Sequence, residues 1–282
     1  MRISKNGLRK LHKVLITLVI AVGISILILP FLWMISTSFK AADEIFKTTP
    51  KWLPRQFSFK NYIDVWNRQY FSRYLFNSVI TSFVTMGVSL VIASLCGYSI
   101  SRFKFKGKTF FSCLLIIVQM FPSMLLLIPM YLIMHRFGLI NTYVSMIIAY
   151  TTFAMPFCTW MAKGYFDTIP IAMEEAARIE GCNYFGVLTL IIIPLSAPGI
   201  VTIALFAFIL SWQQYLYALT FARTDPMRTI TVGIALMQGQ HGSVNWGEIM
   251  AGAIIACLPG LAFFTYLERY LVHGFTMGAI KE

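Results

Sequence analysis

Residues 75–99 read LFNSVITSFVTMGVSLVIASLCGYS, a run with no Asp, Glu, Lys, Arg or His. Crossing about 30 Å of hydrocarbon takes roughly 20 helical residues, so this stretch alone places the chain in a bilayer. Working outward, five more runs of the same kind occur near 14–36, 109–133, 142–162, 186–211 and 249–267. All 23 Lys and Arg and all 11 acidic residues fall between the runs. Composition agrees: 58% of residues are hydrophobic, 12% are charged, and the mean hydropathy is +0.72. The runs are too long and too evenly apolar for the alternating strands of a membrane barrel. The sequence predicts an all-α integral membrane protein with six transmembrane helices.

Short basic segments set the orientation. Arg2, Lys5, Arg9, Lys10 and Lys13 precede the first run, and Arg102, Lys104, Lys106 and Lys108 crowd the link between the second and third. Both segments are expected in the cytoplasm of a multi-pass cell-membrane (inner or cytoplasmic membrane) protein, and an even number of spans returns the C-terminus there. The first apolar run exceeds the usual 7–15 residues of a signal-peptide core, so it reads as a retained anchor. The expected organisation is a basic N-terminus at 1–13, a first span at 14–36, an external segment at 37–74, five further spans at 75–271 with a cytoplasmic loop at 163–185, and a tail at 272–282. The net charge of +12 suits anionic lipid headgroups and calls for no nucleic acid.

Chemistry is hard to find. Cys96, Cys113, Cys158, Cys182 and Cys257 show no metal or redox spacing, His12, His135, His241 and His273 are scattered, and no Gly-rich loop ends in Gly-Lys-Ser/Thr. No catalytic residue, metal site or cofactor is expected on this chain. The spans also lack the midplane ionisable residues that ion-coupled carriers use, which disfavours a secondary carrier. A membrane assembly protein stays open.

Against this apolar background, Ile169-Pro170-Ile171-Ala172-Met173-Glu174-Glu175-Ala176-Ala177-Arg178-Ile179-Glu180-Gly181 is a compact charged helix signal; with Asp167 just upstream it holds four of the 11 acidic residues. Pro170 suits a first helical turn, and Gly181 can take the left-handed conformation that ends a helix. Met173, Ala176, Ala177 and Glu180 are expected on one side, with Glu174 and Arg178 paired at i, i+4. The two alanines leave room for another protein's backbone, and the glutamates offer it charge partners. An amphipathic helix lying on headgroups would favour Lys and Arg on its polar face instead.

A second polar region lies at 212–248. Trp212, Gln213, Gln214 and Tyr215 are candidates for a substrate path or gate; Tyr217, Trp246 and Asn245 add ring faces and amide groups suited to sugars. The same aromatics also suit an interfacial belt. Pro30, Pro122, Pro129, Pro156, Pro194, Pro198 and Pro259 are candidate kinks, and Gly199, Gly252 and Gly260 candidate points of close helix contact.

The acidic segment followed by Ile193-Pro194-Leu195 resembles the EAA loop of permease subunits in ATP-binding-cassette importers. Ser38-Phe39-Lys40, Ser211-Trp212, Arg228-Thr229-Ile230 and the tail Gly274-Phe275-Thr276-Met277-Gly278 extend the resemblance to the carbohydrate branch, specifically the smaller maltose-type permease. Two departures stand: Glu180, Gly181 and Cys182 replace the usual Asp-Gly-Ala, and Gln213-Gln214 replace an acidic or Asn-containing pair after the tryptophan. The resemblance implies a sugar or oligosaccharide importer in which this chain forms half of the pathway, with an importer of a non-sugar solute as the alternative. It implies a second homologous permease, two ATPase subunits that hold ATP and Mg, and an extracytoplasmic solute-binding protein. Met173, Glu174, Glu175, Ala176, Ala177, Arg178, Glu180 and Gly181 would couple to the ATPase, with Pro170 and Pro194 supporting the loop-to-helix turns.

Overall fold

The computed structural model describes residues 5–47, 49, 51–238 and 244–278. Every regular element among them is helical. In chain order these are α1 (Lys5–Ser38), α2 (Ala42–Ile45), α3 (Lys60–Trp66), α4 (Phe71–Arg102), α5 (Lys108–Met120), α6 (Leu127–Arg136), α7 (Tyr143–Asp167), α8 (Ile171–Ile179), α9 (Tyr184–Val187), α10 (Ile193–Leu195), α11 (Ala197–Trp212), α12 (Leu216–Phe221), α13 (Ile230–Leu236) and α14 (Trp246–Gly278). The last four residues of the expected tail lie outside the described residues, as do the first four of the N-terminus.

Four of these helices, α1, α4, α7 and α14, are individually long and apolar enough to cross a membrane. The expectation of six continuous spans is corrected at two places. The run near 109–133 is two helices bent by 96° between Met120 and Ser123, and the run near 186–211 is bent by 86° between Leu195 and Ala197. Prolines explain both. Phe121, which precedes Pro122, is driven out of the helical region to φ −73°, ψ 128°. At the second bend Pro194 and Pro198 each remove a backbone donor, and the turn just before them, Leu188–Ile192, is already widened to a π-helix. By contrast, Pro30, Pro156 and Pro259 sit inside helices that continue past them.

The packing of α4 is inverted relative to a water-soluble helix. It buries Asn77, Ser78, Thr81, Ser82, Thr85, Ser89, Ala93 and Gly97 and exposes Phe76, Phe83, Val84, Val91 and Leu95. Thr81, Thr85, Ser89, Ala93 and Gly97 recur every fourth residue, a stripe of small side chains that lets another helix come close. That helix is α7, which presents Met146, Tyr150, Ala154, Cys158, Ala162 and Phe166 at the same spacing, all fully buried. The Tyr143 hydroxyl donates to Asn77 Oδ1 at 2.7 Å near one end, and Gly97 lies against Ala162 near the other, so the two helices run in the same direction. At Gly97 a Cβ would stand 2.6 Å from Ala162 Cβ and 3.0 Å from the Lys163 nitrogen. Gly260, an expected contact point, has open space around it within the chain.

The described chain packs as two units, Met1–Arg68 with Leu236–Ile255, and Gln69–Ala235 with Ala256–Glu282. In the first, the Asn61 amide donates to the Ser38 and Lys40 carbonyls, both at 2.8 Å, and Glu44 accepts the Arg55 amide at 3.0 Å. Lys40 donates to the Lys51 carbonyl at 2.6 Å and covers the Trp33 ring at 4.2 Å. Burial draws its pKa below the usual lysine range, against the opposing pull of Glu44. Arg68 and Glu248 form an ion pair at 2.6 Å.

Overpacking at the α4–α7 seam is the expected failure of Gly97→Ala. It should destabilise by about 1–3 kcal/mol, whereas Gly164→Ala on α7, with nothing within 4 Å of a new Cβ, should be neutral or stabilising by up to about 1 kcal/mol. Thermal unfolding of the two variants in detergent checks this: the midpoint should fall for Gly97→Ala and stay unchanged or rise for Gly164→Ala.

Candidate functional site

Backbone chemistry defines both ends of α8. Pro170 stands immediately before the helix, at φ −60° and ψ 132°, and has no amide to leave unpaired; it caps the helix from outside the first turn, one position earlier than expected. At the other end Gly181 has φ 98°. Its amide donates to the Arg178 carbonyl at 3.1 Å, and the Cys182 amide donates to the Ala177 carbonyl at 3.0 Å. These two bonds make a Schellman closure, which holds the last carbonyls and turns the chain sharply. Asn183 then caps α9 by accepting the Gly186 amide at 2.7 Å.

Two side chains of α8 point inward. Glu174 is 6% exposed and Ala177 is 7% exposed. The Glu174 carboxylate accepts from the Tyr98 hydroxyl at 3.0 Å and from Arg102 Nε. Arg102 also donates to the Ile169 carbonyl at 2.9 Å and to Ser101 Oγ at 3.0 Å. Ser101 donates to Asp167 at 2.5 Å, and Lys163 pairs with the other Asp167 oxygen at 2.5 Å. The end of α4 thus reaches the end of α7 and the start of α8 together. Removing one partner from a buried pair such as Arg102–Glu174 leaves an uncompensated charge, at a cost of about 3–5 kcal/mol.

Two sequence expectations are corrected here. Glu174 does not pair with Arg178 along the helix, because a buried guanidinium from α4 offers it a desolvated, multiply hydrogen-bonded partner. Arg178 instead lies 4.4 Å over the Tyr184 ring, and that ring meets Phe103 edge-on at 5.0 Å. Ala177 does not share a face with Met173, Ala176 and Glu180; it faces the core.

The outward face carries Met173, Glu175, Ala176, Ile179 and Glu180, all exposed. Ile179 is 88% exposed, Ile171 59% and Met173 45%. An isoleucine that uncovered beside two carboxylates is a surface with apolar area at its centre and charge at its rim. Sequence reasoning missed the exposure of Ile179 on this face, although an apolar side chain between Arg178 and Glu180 was the available signal. It also missed Tyr98 and Arg102: the arginine was read only as a topology charge, since nothing local links it to a residue 72 positions away.

In the second candidate region Trp212 is half-buried and stacks on Phe208 at 5.4 Å. Gln213 and Tyr215 are exposed, while Gln214 is half-buried and its carbonyl accepts from Thr231 at 2.8 Å. Tyr217 is 1% exposed, and its hydroxyl donates to the Ser123 carbonyl at 2.7 Å. It is a core residue, not a ring face for a sugar. Asn245 is also committed elsewhere: its amide nitrogen donates to Glu248 at 2.7 Å and its oxygen accepts the Glu248 backbone amide at the start of α14. Pro194 is exposed beside the second bend.

The family described as binding-protein-dependent transport system inner membrane components matches residues 89–276, a range that contains α8, both bends and most of the α4–α7 seam. This chain belongs to that family. The permease is 34% identical over 258 residues to the trehalose/maltose transport system permease protein MalG of Thermococcus litoralis, covering 91% of this chain and 92% of that one. It is 32% identical to the sulfoquinovosyl glycerol transport system permease protein SmoH of Agrobacterium fabrum, covering 89% and 88%. Its fold is shared with a chain of a bacterial ABC transporter involved in import of the acidic polysaccharide alginate, with a TM-score of 0.82 at 18% identity, over 96% and 99% of the two chains.

Gly181→Val in the permease places a β-branched residue at positive φ, a strain of about 1–2 kcal/mol. Hydrogen exchange should show faster exchange of the amides at positions 181 and 182, with protection along α7 unchanged.

Proposed function

We propose that this chain is the smaller, maltose-type permease subunit of an ATP-driven, binding-protein-dependent importer for a sugar or oligosaccharide. In this reading it forms half of the translocation pathway with a second, homologous permease. Two ATPase subunits bind and hydrolyse ATP with Mg, and an extracytoplasmic binding protein delivers the solute. The chain itself does no covalent chemistry.

The observation that carries the reading is the outward face of α8. Ile179 and Met173 are uncovered on a helix fixed at both ends, and Glu175 and Glu180 flank them. A short rigid helix with an apolar knob and a charge anchor suits a cleft in a partner protein, where the knob is desolvated and the carboxylate meets a basic residue. Gly181 fixes the angle at which the chain leaves that cleft. Arg102, in the basic link expected in the cytoplasm, touches Glu174, so the helix and that link share one end of the bundle. This supports a cytoplasmic α8; in the same reading 1–13 and 272–282 are cytoplasmic ends, 37–74 is an external segment and 75–271 is the permease core. Across the bends, α5 with α6 and α9 to α11 would each count as one span, giving six.

A sugar cargo is supported by the trehalose/maltose and sulfoquinovosyl glycerol transport named for the two relatives, and by Trp212, Gln213 and Tyr215 at the end of α11, of which Gln213 and Tyr215 are exposed and Trp212 is half-buried. These residues are proposed to line the path.

The test is ATP-dependent uptake of a labelled sugar panel by the complex reconstituted with its ATPase and binding protein, comparing wild type, Glu175→Lys and Ile179→Asp. Both variants should lose ATPase retention and uptake by about tenfold or more, the loss of roughly 1.4 kcal/mol or more expected for a central contact residue, and the panel names the cargo. Uptake independent of ATP, or untouched by both substitutions, overturns the docking role; ATP-dependent uptake of non-sugar solutes alone overturns the cargo.

A further inference from the structure

Two adjacent glutamates in α8 face opposite ways. Glu175 is exposed, while Glu174 is enclosed by Tyr98 and Arg102 of α4. The same end of α4 reaches the other end of α8 through a second set of contacts, because Phe103 meets Tyr184 and Tyr184 lies under Arg178. Phe103 also packs edge-on against Tyr98 at 6.0 Å, which joins the two sets. Arg102 is the shared element: one guanidinium binds the Glu174 carboxylate, the Ile169 carbonyl that precedes the helix, and Ser101, which in turn holds Asp167 at the end of α7.

Resting on the docking role proposed above, we propose that Arg102 is a positioning residue that clamps α8 to α4 through buried Glu174, so that a displacement imposed on α8 moves the α4–α7 pair instead of being absorbed in the loop. Glu174 is therefore a strut and makes no contact with the ATPase, whereas Glu175 on the next residue does. The physical requirement is slack. A nine-residue helix joined to its neighbours by short turns at Thr168–Pro170 and Glu180–Asn183 rotates about those turns when pushed, unless its inward side is fixed at more than one point. Arg102 supplies fixed points at the carboxylate and at the preceding carbonyl, with a planar fork whose geometry lysine does not reproduce. Tyr184 and Arg178 supply the third.

The experiment uses the full complex with its partner permease, ATPase and binding protein. Three quantities are measured for wild type, Glu174→Gln, Arg102→Lys, the double variant Arg102→Gln with Glu174→Gln, and Glu175→Lys: ATPase retention, solute moved per ATP hydrolysed, and the distance distribution between spin labels at positions 172 and 95, both exposed and outside the proposed docking face. In the Glu174 and Arg102 variants, solute moved per ATP should fall by about tenfold with a broadened 172–95 distance, while ATPase retention stays near wild type. The double variant removes both charges and so leaves no orphan in the core; it keeps the test open if a single variant fails to assemble, and it should be equally uncoupled. Wild-type solute per ATP in the double variant, or an unbroadened distance, overturns the clamp. Loss of ATPase retention in Glu174→Gln to the extent seen in Glu175→Lys also overturns it, by making Glu174 a docking charge. Failure of the docking role itself is distinguishable, since then Glu175→Lys retains ATPase and uptake.

Discussion

Close approach between α4 and α7 is the constraint on which the second unit depends. In lipid, burying apolar surface between helices gains little, because the tails are as apolar as leucine; association rests on tight contact and on hydrogen bonds made across it. The chain answers with small residues every fourth position from Thr81 to Gly97, matched by the stripe from Met146 to Phe166. Gly97 marks the tightest point, where even a methyl group would intrude on Ala162. Bulky residues that a soluble protein would bury, such as Phe76 and Phe83, are turned outward.

Polar contacts close both ends of this seam. At one end Asn77 accepts from Tyr143 and donates to the carbonyls of Pro226 and Arg228 at 2.9 and 2.8 Å, while Ser78 accepts the Ile230 amide at 2.9 Å. At the other end Arg102 joins Glu174, and Ser101 joins Asp167. Between them lie about 25 helical residues, or roughly 38 Å at 1.5 Å each. On the proposed function, that is the path along which motion at the ATPase face would reach the opposite end of the bundle.

Much of this was legible in the sequence, for identifiable reasons. Uncharged runs gave the approximate places of the apolar segments, because length and charge suffice to judge them, but not which of them run straight through. The ends of α8 were readable because Pro170 and Gly181 act through their own backbones. What escaped was whatever depends on another element. Prolines look alike in a string, yet α7 continues past Pro156 while Pro122 stands at a 96° bend between helices. Tyr217 reads as an available aromatic until Ser123 is seen to accept its hydroxyl. The partner of Glu174 was guessed from spacing on one helix, and it lies on another.

The buried pair also bears on how this sequence can change over generations. Arg102 and Glu174 lie 72 residues apart, yet neither can be replaced alone by a neutral residue without stranding a charge away from water. Lineages that replace the arginine with a neutral residue should therefore have lost the glutamate as well, while Glu175 next to it, on the proposed docking role, would follow the surface of whichever partner it meets.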